Sequence, residues 1–239
     1  MSKPKYKRVL LKLSGELFSG DKNNGLDFAA IKKVADAIKD LLDQTHIQLA
    51  IVNGGGNLFR GRNLHDQTFD PAQLDYVGML GTIMNGLALQ HELNSIGVPA
   101  RVMSSLRVDQ ACEPFIRLRA IRHLERGYVI ILAGGTGSPF FTTDSAAALK
   151  AAEINANIVL KATNVDGVYD KDPHKNTDAK KFDKLTFKEA LSRGLMVMDH
   201  TAYTLCQSQN IPVIVFDAGD FSNFSRIILG EHIGTLITP

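Results

Sequence analysis

The sequence predicts an α/β protein, a three-layer sandwich with a central, mainly parallel sheet. Three observations lead there. Short β-branched runs alternate with segments of helical periodicity, the pattern of βαβ units. The runs are apolar with little alternation, as in strands buried on both faces. Most of them stop abruptly in glycine or polar loops, as strands do at the carboxyl edge of an open parallel sheet.

In chain order, residues 8–13 (RVLLKL) form a first strand that runs into Ser14-Gly15. Phe28, Ile31, Val34, Ala35, Ile38, Leu41 and Leu42 recur at three- and four-residue spacing, one apolar stripe of a helix. Residues 47–52 (IQLAIV) form a second strand that runs into Asn53 and the glycines Gly54, Gly55 and Gly56. Residues 74–93 read as a longer helix, and residues 128–132 (YVIIL) as a strand leading into Ala133-Gly134-Gly135-Thr136-Gly137. An alanine-rich helix is expected from Ala146, followed by a strand at 158–161 (IVLK) that ends in Ala162-Thr163-Asn164. Asp166-Gly167 between β-type residues is a hairpin signal. The polar residues 169–184 read as a surface excursion, either a plain solvated loop or a functional one. Thr186 with Glu189 three residues on is a capping box that opens another helix. Residues 212–216 (PVIVF) make a last strand before Asp217-Ala218-Gly219.

With 239 residues and neither an internal repeat nor a low-complexity linker, residues 1–239 are expected to form one domain with a sizeable core. The net charge of +2, from 27 basic and 25 acidic residues, gives no argument for nucleic acid or an anionic membrane as partner. No stretch approaches the ~20 apolar residues of a membrane span. The basic start, Lys3, Lys5, Lys7 and Arg8, precedes an apolar run far too short for a secretion signal. Cys112 and Cys206 stand alone and far apart, which fits a reduced, cytoplasmic setting.

Three glycine-bearing loops fall at strand ends: Ser14-Gly15, the triple glycine at 54–56, and the segment at 134–137. A parallel sheet brings such loops to one edge, where bare backbone N–H groups cradle phosphate. The chain has no GxxxxGK[ST], no complete dinucleotide fingerprint, no GxSxG and no HExxH, and its seven histidines are scattered. It does place fixed charge beside the glycines. Lys12 interrupts an apolar strand, so it either faces solvent from an edge strand or has a partner. Unpaired burial is costly, and a polyphosphate would supply that partner. Arg60, four residues after the last of the three glycines, is either a surface arginine or a fork for phosphate oxygens. Thr142, Thr143, Asp144 and Ser145 stand at the expected helix start, where an N-cap accounts for one of the four. Phe140 and Phe141 either flank a base or simply pack, and Asp199 reads as the cap of the next helix, near the strand-end surface.

Together, "KLSGE" (12–16), "NGGGNLFRG" (53–61), "GGTGSPFFTTDSAA" (134–147), "LKATNVDGVYDKDP" (160–173) and "GTLIT" (234–238) resemble the bacterial uridylate kinases, the UMP kinases of the amino acid kinase superfamily. The resemblance runs from Tyr6 to the C-terminus. The GGGN–LFRG and PFFTTD blocks set it apart from acetylglutamate, aspartate and carbamate kinases. It implies the amino acid kinase fold and transfer of the ATP γ-phosphate to UMP, giving UDP and ADP in pyrimidine nucleotide biosynthesis, with Mg²⁺. By matching position it implies that Lys12, Leu13, Ser14 and Gly15 meet the ATP phosphates, that Gly56 and Arg60 face ATP, and that Gly55 faces UMP. It further implies that Asp75 holds the UMP ribose hydroxyls and that Thr136, Gly137, Ser138, Pro139, Phe140, Phe141, Thr142 and Thr143 wrap the UMP phosphate and uracil. Thr163, Tyr169 and Asp172 would border the adenosine. Metal ligands are not identified. The resemblance also implies a homohexamer with GTP as activator and UTP as inhibitor. Here the chain departs from the family pattern: on residues 85–97 the basic positions used in GTP sensing are Gln90 and Asn94, with Arg101 retained.

The chemistry that follows needs no strong general base. A phosphomonoester, with a second pKa of about 6, is already largely dianionic at neutral pH. The difficulty is to bring two polyanions into line, so catalysis is mostly positioning and charge neutralisation. On this reading Lys12 and Arg60 act on the transferring phosphoryl group. Asp144, with Asp199, orients Lys12 or holds Mg²⁺ through water. Two rival readings stand beside it. A sibling enzyme would phosphorylate a carboxylate or carbamate and ignore UMP, and a nucleotide sensor would bind without turnover.

Overall fold

The first strand of the chain, β1 (Arg8–Leu13), lies inside the main sheet, between β2 (Gln48–Asn53) and β6 (Ile158–Thr163). The structure, a computed structural model, describes residues 4–22, 24–60, 69–173, 175–195 and 197–239. Lys3 of the basic start and Gly61, the last residue of the NGGGNLFRG block, lie outside the described residues. Outward from β2 come β5 (Val129–Ala133), β3 (Ala100–Ser104) and β4 (Glu113–Pro114). Outward from β6 come β10 (Val213–Asp217), β11 (Thr235–Thr238) and β9 (Lys184–Thr186). Among the described residues this is a nine-stranded sheet, parallel at every pairing except β10 with β11. A second, two-stranded antiparallel ribbon joins β7 (Val168–Tyr169) to β8 (Lys181–Phe182).

Helices α1 (Phe28–Thr45), α2 (Pro71–Ser95) and α7 (Asn223–Ile228) pack on one face of the sheet, against Val9, Leu11 and Leu13 of β1. Helices α3 (Arg117–Glu125), α4 (Thr143–Glu153), α5 (Phe187–Ser192) and α6 (His200–Ser208) pack on the other, against Leu10. Successive strand residues point to opposite faces, so a run such as VLL feeds two cores at once. This is why the strands read as unbroken apolar stretches, and the expected three-layer α/β sandwich is the fold observed. In α1, Ile31, Val34, Ala35, Ile38 and Leu41 are buried, while Phe28, first after the Asp27 cap, is exposed. The Thr186–Glu189 capping box opens α5 with both reciprocal hydrogen bonds formed.

Some expectations are corrected. Helix α4 begins at Thr143, three residues before the alanine run, because Thr142 caps it. Asp166-Gly167 closes no hairpin between its flanking strands: β6 belongs to the main sheet, whereas β7 pairs with β8. The described part of 169–184 is not a plain loop but carries the β7–β8 ribbon. Lys12 is not on an edge strand, since β1 has neighbours on both sides. Strand β3 was not anticipated. Among the described residues, no helix is long and apolar enough to cross a membrane.

Candidate active site

Strands β5, β2, β1 and β6 are consecutive, parallel neighbours, so the loops that follow them open on one edge of the sheet. Lys12, next to last in β1, points to the face covered by α4. There Thr142 accepts hydrogen bonds from the N–H groups of Asp144 (3.0 Å) and Ser145 (3.2 Å), which fixes the first turn of α4. That turn delivers Asp144 to Lys12, with Nζ 3.2 Å from Oδ1, as an ion pair without a well-aligned hydrogen bond. The other oxygen, Oδ2, accepts from Lys161 Nζ at 2.6 Å. Lys161, on β6, is the register partner of Lys12 and also donates to the Val197 carbonyl. The three side chains are only 15, 16 and 13% exposed for Lys12, Asp144 and Lys161. Two ammonium groups thus share one carboxylate in a poorly solvated place, and the Asp199 charge also acts on Lys161. Burial lowers the pKa of Lys161; Asp144 opposes the shift, and the charge of Lys12 adds to it.

The glycine loops are built backbone to backbone. A side chain at Gly15 would start 2.8 Å from the Gly56 nitrogen, and one at Gly55 would start 2.5 Å from the Gly78 carbonyl of α2. Contact between chain segments therefore excludes side chains at Gly15 and Gly55. Helix α2 braces two of the three loops from behind. Its buried Asn85 donates to the Gly54 carbonyl (2.7 Å) and exchanges hydrogen bonds with Asn57, while Thr82 accepts the Gly134 N–H at 2.8 Å. Arg60 lies at the rim rather than with the lysines. Its Nε donates to the Gly56 carbonyl at 2.9 Å, and its guanidinium pairs with Glu16.

On the segment after β5, the N–H of Phe140 donates to Asp75 at 2.7 Å, and Phe140 sits in the left-handed region at φ 71°. Neither Phe140 nor Phe141 packs into a core; they are 75 and 49% exposed. Thr136 donates to the Ser138 carbonyl at 3.0 Å, and Gly135 accepts from Ser105 at 3.0 Å. Asp199 caps α6 through the Ala202 N–H (2.8 Å) and also receives hydroxyl donors from Thr142 and Ser145. Burial alone would raise its pKa, but these donors outweigh it and hold Asp199 below the ordinary carboxylate value.

Beyond Lys161 opens a cleft of about 410 Å³, lined among others by Thr163, Gly167, Tyr169, Asp172 and Val197. The Tyr169 hydroxyl donates to Asp166 at 2.5 Å, and Lys181 donates to the same carboxylate at 2.9 Å. The buried Tyr203 hydroxyl donates to the carbonyl of Leu195 (3.0 Å) and accepts the N–H of Val197 (3.3 Å), two residues that line the cleft. Burial pushes its pKa up to about 12, so it stays a neutral strut.

The structure thus joins Lys12 to Asp144 and places Thr163, Tyr169 and Asp172 around one cleft. Arg60 and Asp75 stand at separate rims of the same edge. Lys161 was missed by sequence reasoning, although the signal was present: it ends the apolar run IVLK much as Lys12 interrupts RVLLKL. The bracing residues Thr82 and Asn85 carried no comparable signal.

A mainly parallel sheet with lysines and glycine loops at one edge and no P-loop is an arrangement suited to phosphoryl transfer by backbone N–H groups and fixed cations. Residues 7–217 match the model of the Amino acid kinase family, and the chain belongs to that family. Among solved structures it is similar to the UMP kinase from Bacillus anthracis, with 40% identity over 98% of this chain and 96% of that one, at a TM-score of 0.94. It is similar also to the UMP kinase from Ureaplasma parvum, with 35% identity over 100% of both chains and a TM-score of 0.91. The uridylate kinase from Archaeoglobus fulgidus matches with 29% identity, over 96% of this chain and 99% of that one, at a TM-score of 0.73.

Proposed function

We propose that the chain transfers the γ-phosphate of ATP to UMP, giving UDP and ADP, as one catalytic domain in the cytoplasm. The observation that carries this reading is the pair Lys12 and Lys161 around Asp144, at the edge where the loops after β1, β2 and β5 converge. ATP would lie in the cleft bordered by Thr163, Tyr169 and Asp172, its phosphates reaching Lys161, Lys12 and the backbone of Leu13, Ser14, Gly15 and Gly56. UMP would lie toward Gly55, Asp75 and the 136–143 segment. The two lysines would neutralise the charge on the transferring group, and Arg60 would leave Glu16 for a phosphate oxygen. Asp144 holds both lysines and positions them without touching substrate. No base is needed, because the acceptor phosphate is already largely dianionic above its pKa of about 6.

The family reading includes Mg²⁺. Among the described residues no three His, Cys, Asp or Glu side chains are grouped to hold a metal. Asp144 is held between two ammonium groups, and the Asp199 oxygens take hydroxyl and N–H donors. As arranged, these carboxylates do not build a metal centre. Magnesium that arrives with ATP would be held by phosphate oxygens and water.

The same reading includes a homohexamer controlled by GTP and UTP. Association of copies is supported by α2, whose Val77, Leu80 and Met84 expose 43, 47 and 52% of their surface along one side. Gln90 and Asn94 accept the N–H groups of Val102 (2.7 Å) and Ala100 (2.9 Å), which commits both amide oxygens within the chain. The response to GTP is accordingly expected to be small.

A coupled assay of ADP release with ATP and a panel of nucleoside monophosphates and small carboxylic acids tests the proposal. Turnover confined to UMP is expected. Phosphorylation of a small acid with indifference to UMP would establish the sibling chemistry instead. Binding of ATP without UDP formation would establish a sensor.

A further inference from the structure

The block GTLIT at residues 234–238 lies outside the residues so far placed around substrate, and its Thr235 is completely buried. Its hydroxyl faces the β7–β8 ribbon. Thr235 Oγ1 accepts the Val168 N–H at 2.8 Å and donates its proton to the Phe182 carbonyl. Val168 and Phe182 are register partners, so one hydroxyl grips both strands of the ribbon at the same level. Among the described residues the ribbon has no backbone ladder to the nine-stranded sheet at β7.

The position of Thr235 is set by the sheet. Lys12 pairs with Lys161, Lys161 with Val215, and Val215 with Thr235, so the four residues form one row across β1, β6, β10 and β11. In-register side chains share a face, which puts the Thr235 hydroxyl on the same side as the two lysines. Two glycines make the fit possible. Gly234 has φ +78° and passes so close to Val215 that a Cβ would lie 2.1 Å from its carbonyl oxygen. Gly167, just before the ribbon, lies where a Cβ would meet the Thr235 hydroxyl at 2.7 Å.

The ribbon is a wall of the cleft, which Val168, Tyr169 and Val215 all line together with Lys161. We propose that Thr235 is a positioning residue for the donor nucleotide: its buried hydroxyl fixes the ribbon at a set distance from the lysine row and so sets the width of the cleft. This rests on the reading of the cleft as the ATP site. The acceptor side, on the far side of β1 toward α2, has no contact with the ribbon in this scheme, so the effect falls on ATP and spares UMP.

Thr235→Val keeps the shape and removes both hydrogen bonds, and Thr235→Ser restores them. Titration calorimetry with ATP and with UMP separately is the test, alongside the KM for each. Two lost hydrogen bonds at one wall predict an ATP Kd raised about five- to tenfold in Thr235→Val, with UMP within about twofold of wild type and ATP affinity recovered in Thr235→Ser. Unchanged ATP affinity, or equal weakening of ATP and UMP, would overturn the proposal and leave Thr235 as core packing. Wild-type protein that binds no ATP would overturn the reading of the cleft itself, and this proposal with it. Should Thr235→Val not fold, Thr235→Ala removes the same hydroxyl without a new contact in the cleft and is read by the same split between ATP and UMP.

Discussion

Lys12 and Lys161 stand opposite one another on neighbouring parallel strands, and both ammonium groups close on a single carboxylate, Asp144, at 3.2 and 2.6 Å. The strands fix the two cations side by side, where they repel. One carboxylate offsets part of that repulsion, and an incoming phosphate would offset the rest. The register of the sheet sets this arrangement, and its consequences can be measured.

Lys12→Ala and Lys161→Ala should each lower kcat by about 10³-fold, the scale of a cation that stabilises a transferring phosphoryl group. Both should keep the circular dichroism of the parent. Rates within about tenfold of wild type for either variant would remove that lysine from the chemistry. Asp144→Asn differs, because it leaves two facing ammonium groups poorly solvated and unpaired. It should lower stability as well as rate, by about 3–5 kcal/mol in urea denaturation, the range for breaking a buried pair.

Activity should fail at high pH earlier than a free lysine would dictate. The pKa of Lys161 lies below its ordinary 10.5, chiefly through burial. The unfolded chain therefore holds this proton at pH values where the folded chain has begun to release it, so the contribution of Lys161 to stability rises as pH climbs toward 10.5. Turnover that needs the charged amine moves the other way. The descending limb of kcat/KM for ATP against pH, which reports the free enzyme, is expected to have its midpoint below 10.5, and a limb at or above that value would contradict the assignment.

Asp75→Asn should weaken UMP and leave ATP unchanged. The carboxylate accepts the Phe140 N–H at 2.7 Å, and an asparagine oxygen can accept it too, so the loop geometry is kept while the charge is removed. A charged hydrogen bond is worth about 1.5–3 kcal/mol, which predicts a UMP Kd raised by roughly tenfold or more in calorimetry. Equal loss for both nucleotides would reject a specific role at the acceptor.

Arg60→Ala should separate activity from stability. Arg60 and Glu16 are 50 and 56% exposed, and a pair of that kind contributes at most about 1 kcal/mol. The melting temperature should hardly move while kcat/KM for ATP falls. An unchanged kcat/KM would leave Arg60 as a rim residue paired with Glu16.

Much of the fold was legible before any coordinates. The runs at 8–13, 47–52, 128–132, 158–161 and 212–216 correspond to β1, β2, β5, β6 and β10 to within two residues, because strands buried on both faces have no polar side to blur them. Strand β3, with Arg101 and Ser104 among its five residues, gave a weaker pattern and was passed over. Thr142 was legible as one member of a group that had to contain an N-cap. Lys161 was overlooked because a lysine at the end of a strand resembles an ordinary surface residue until its neighbour is known. The Asp166-Gly167 turn misled because local turn chemistry does not say which strand its partner is.

The sequence alone determined the alternation of strands and helices, the loops without side chains and the lysine set within an apolar strand, since each depends on residues near one another along the chain. The tertiary structure alone decided that Lys12 and Lys161 are neighbours, that Asp144 lies between them, and that Thr235 grips the ribbon. Most of those relations join residues more than fifty positions apart, and even Asp144 and Lys161, 17 apart, lie on different elements. Only the order and register of the parallel strands bring them together, and order and register are set by packing on both faces of the sheet rather than by any local pattern.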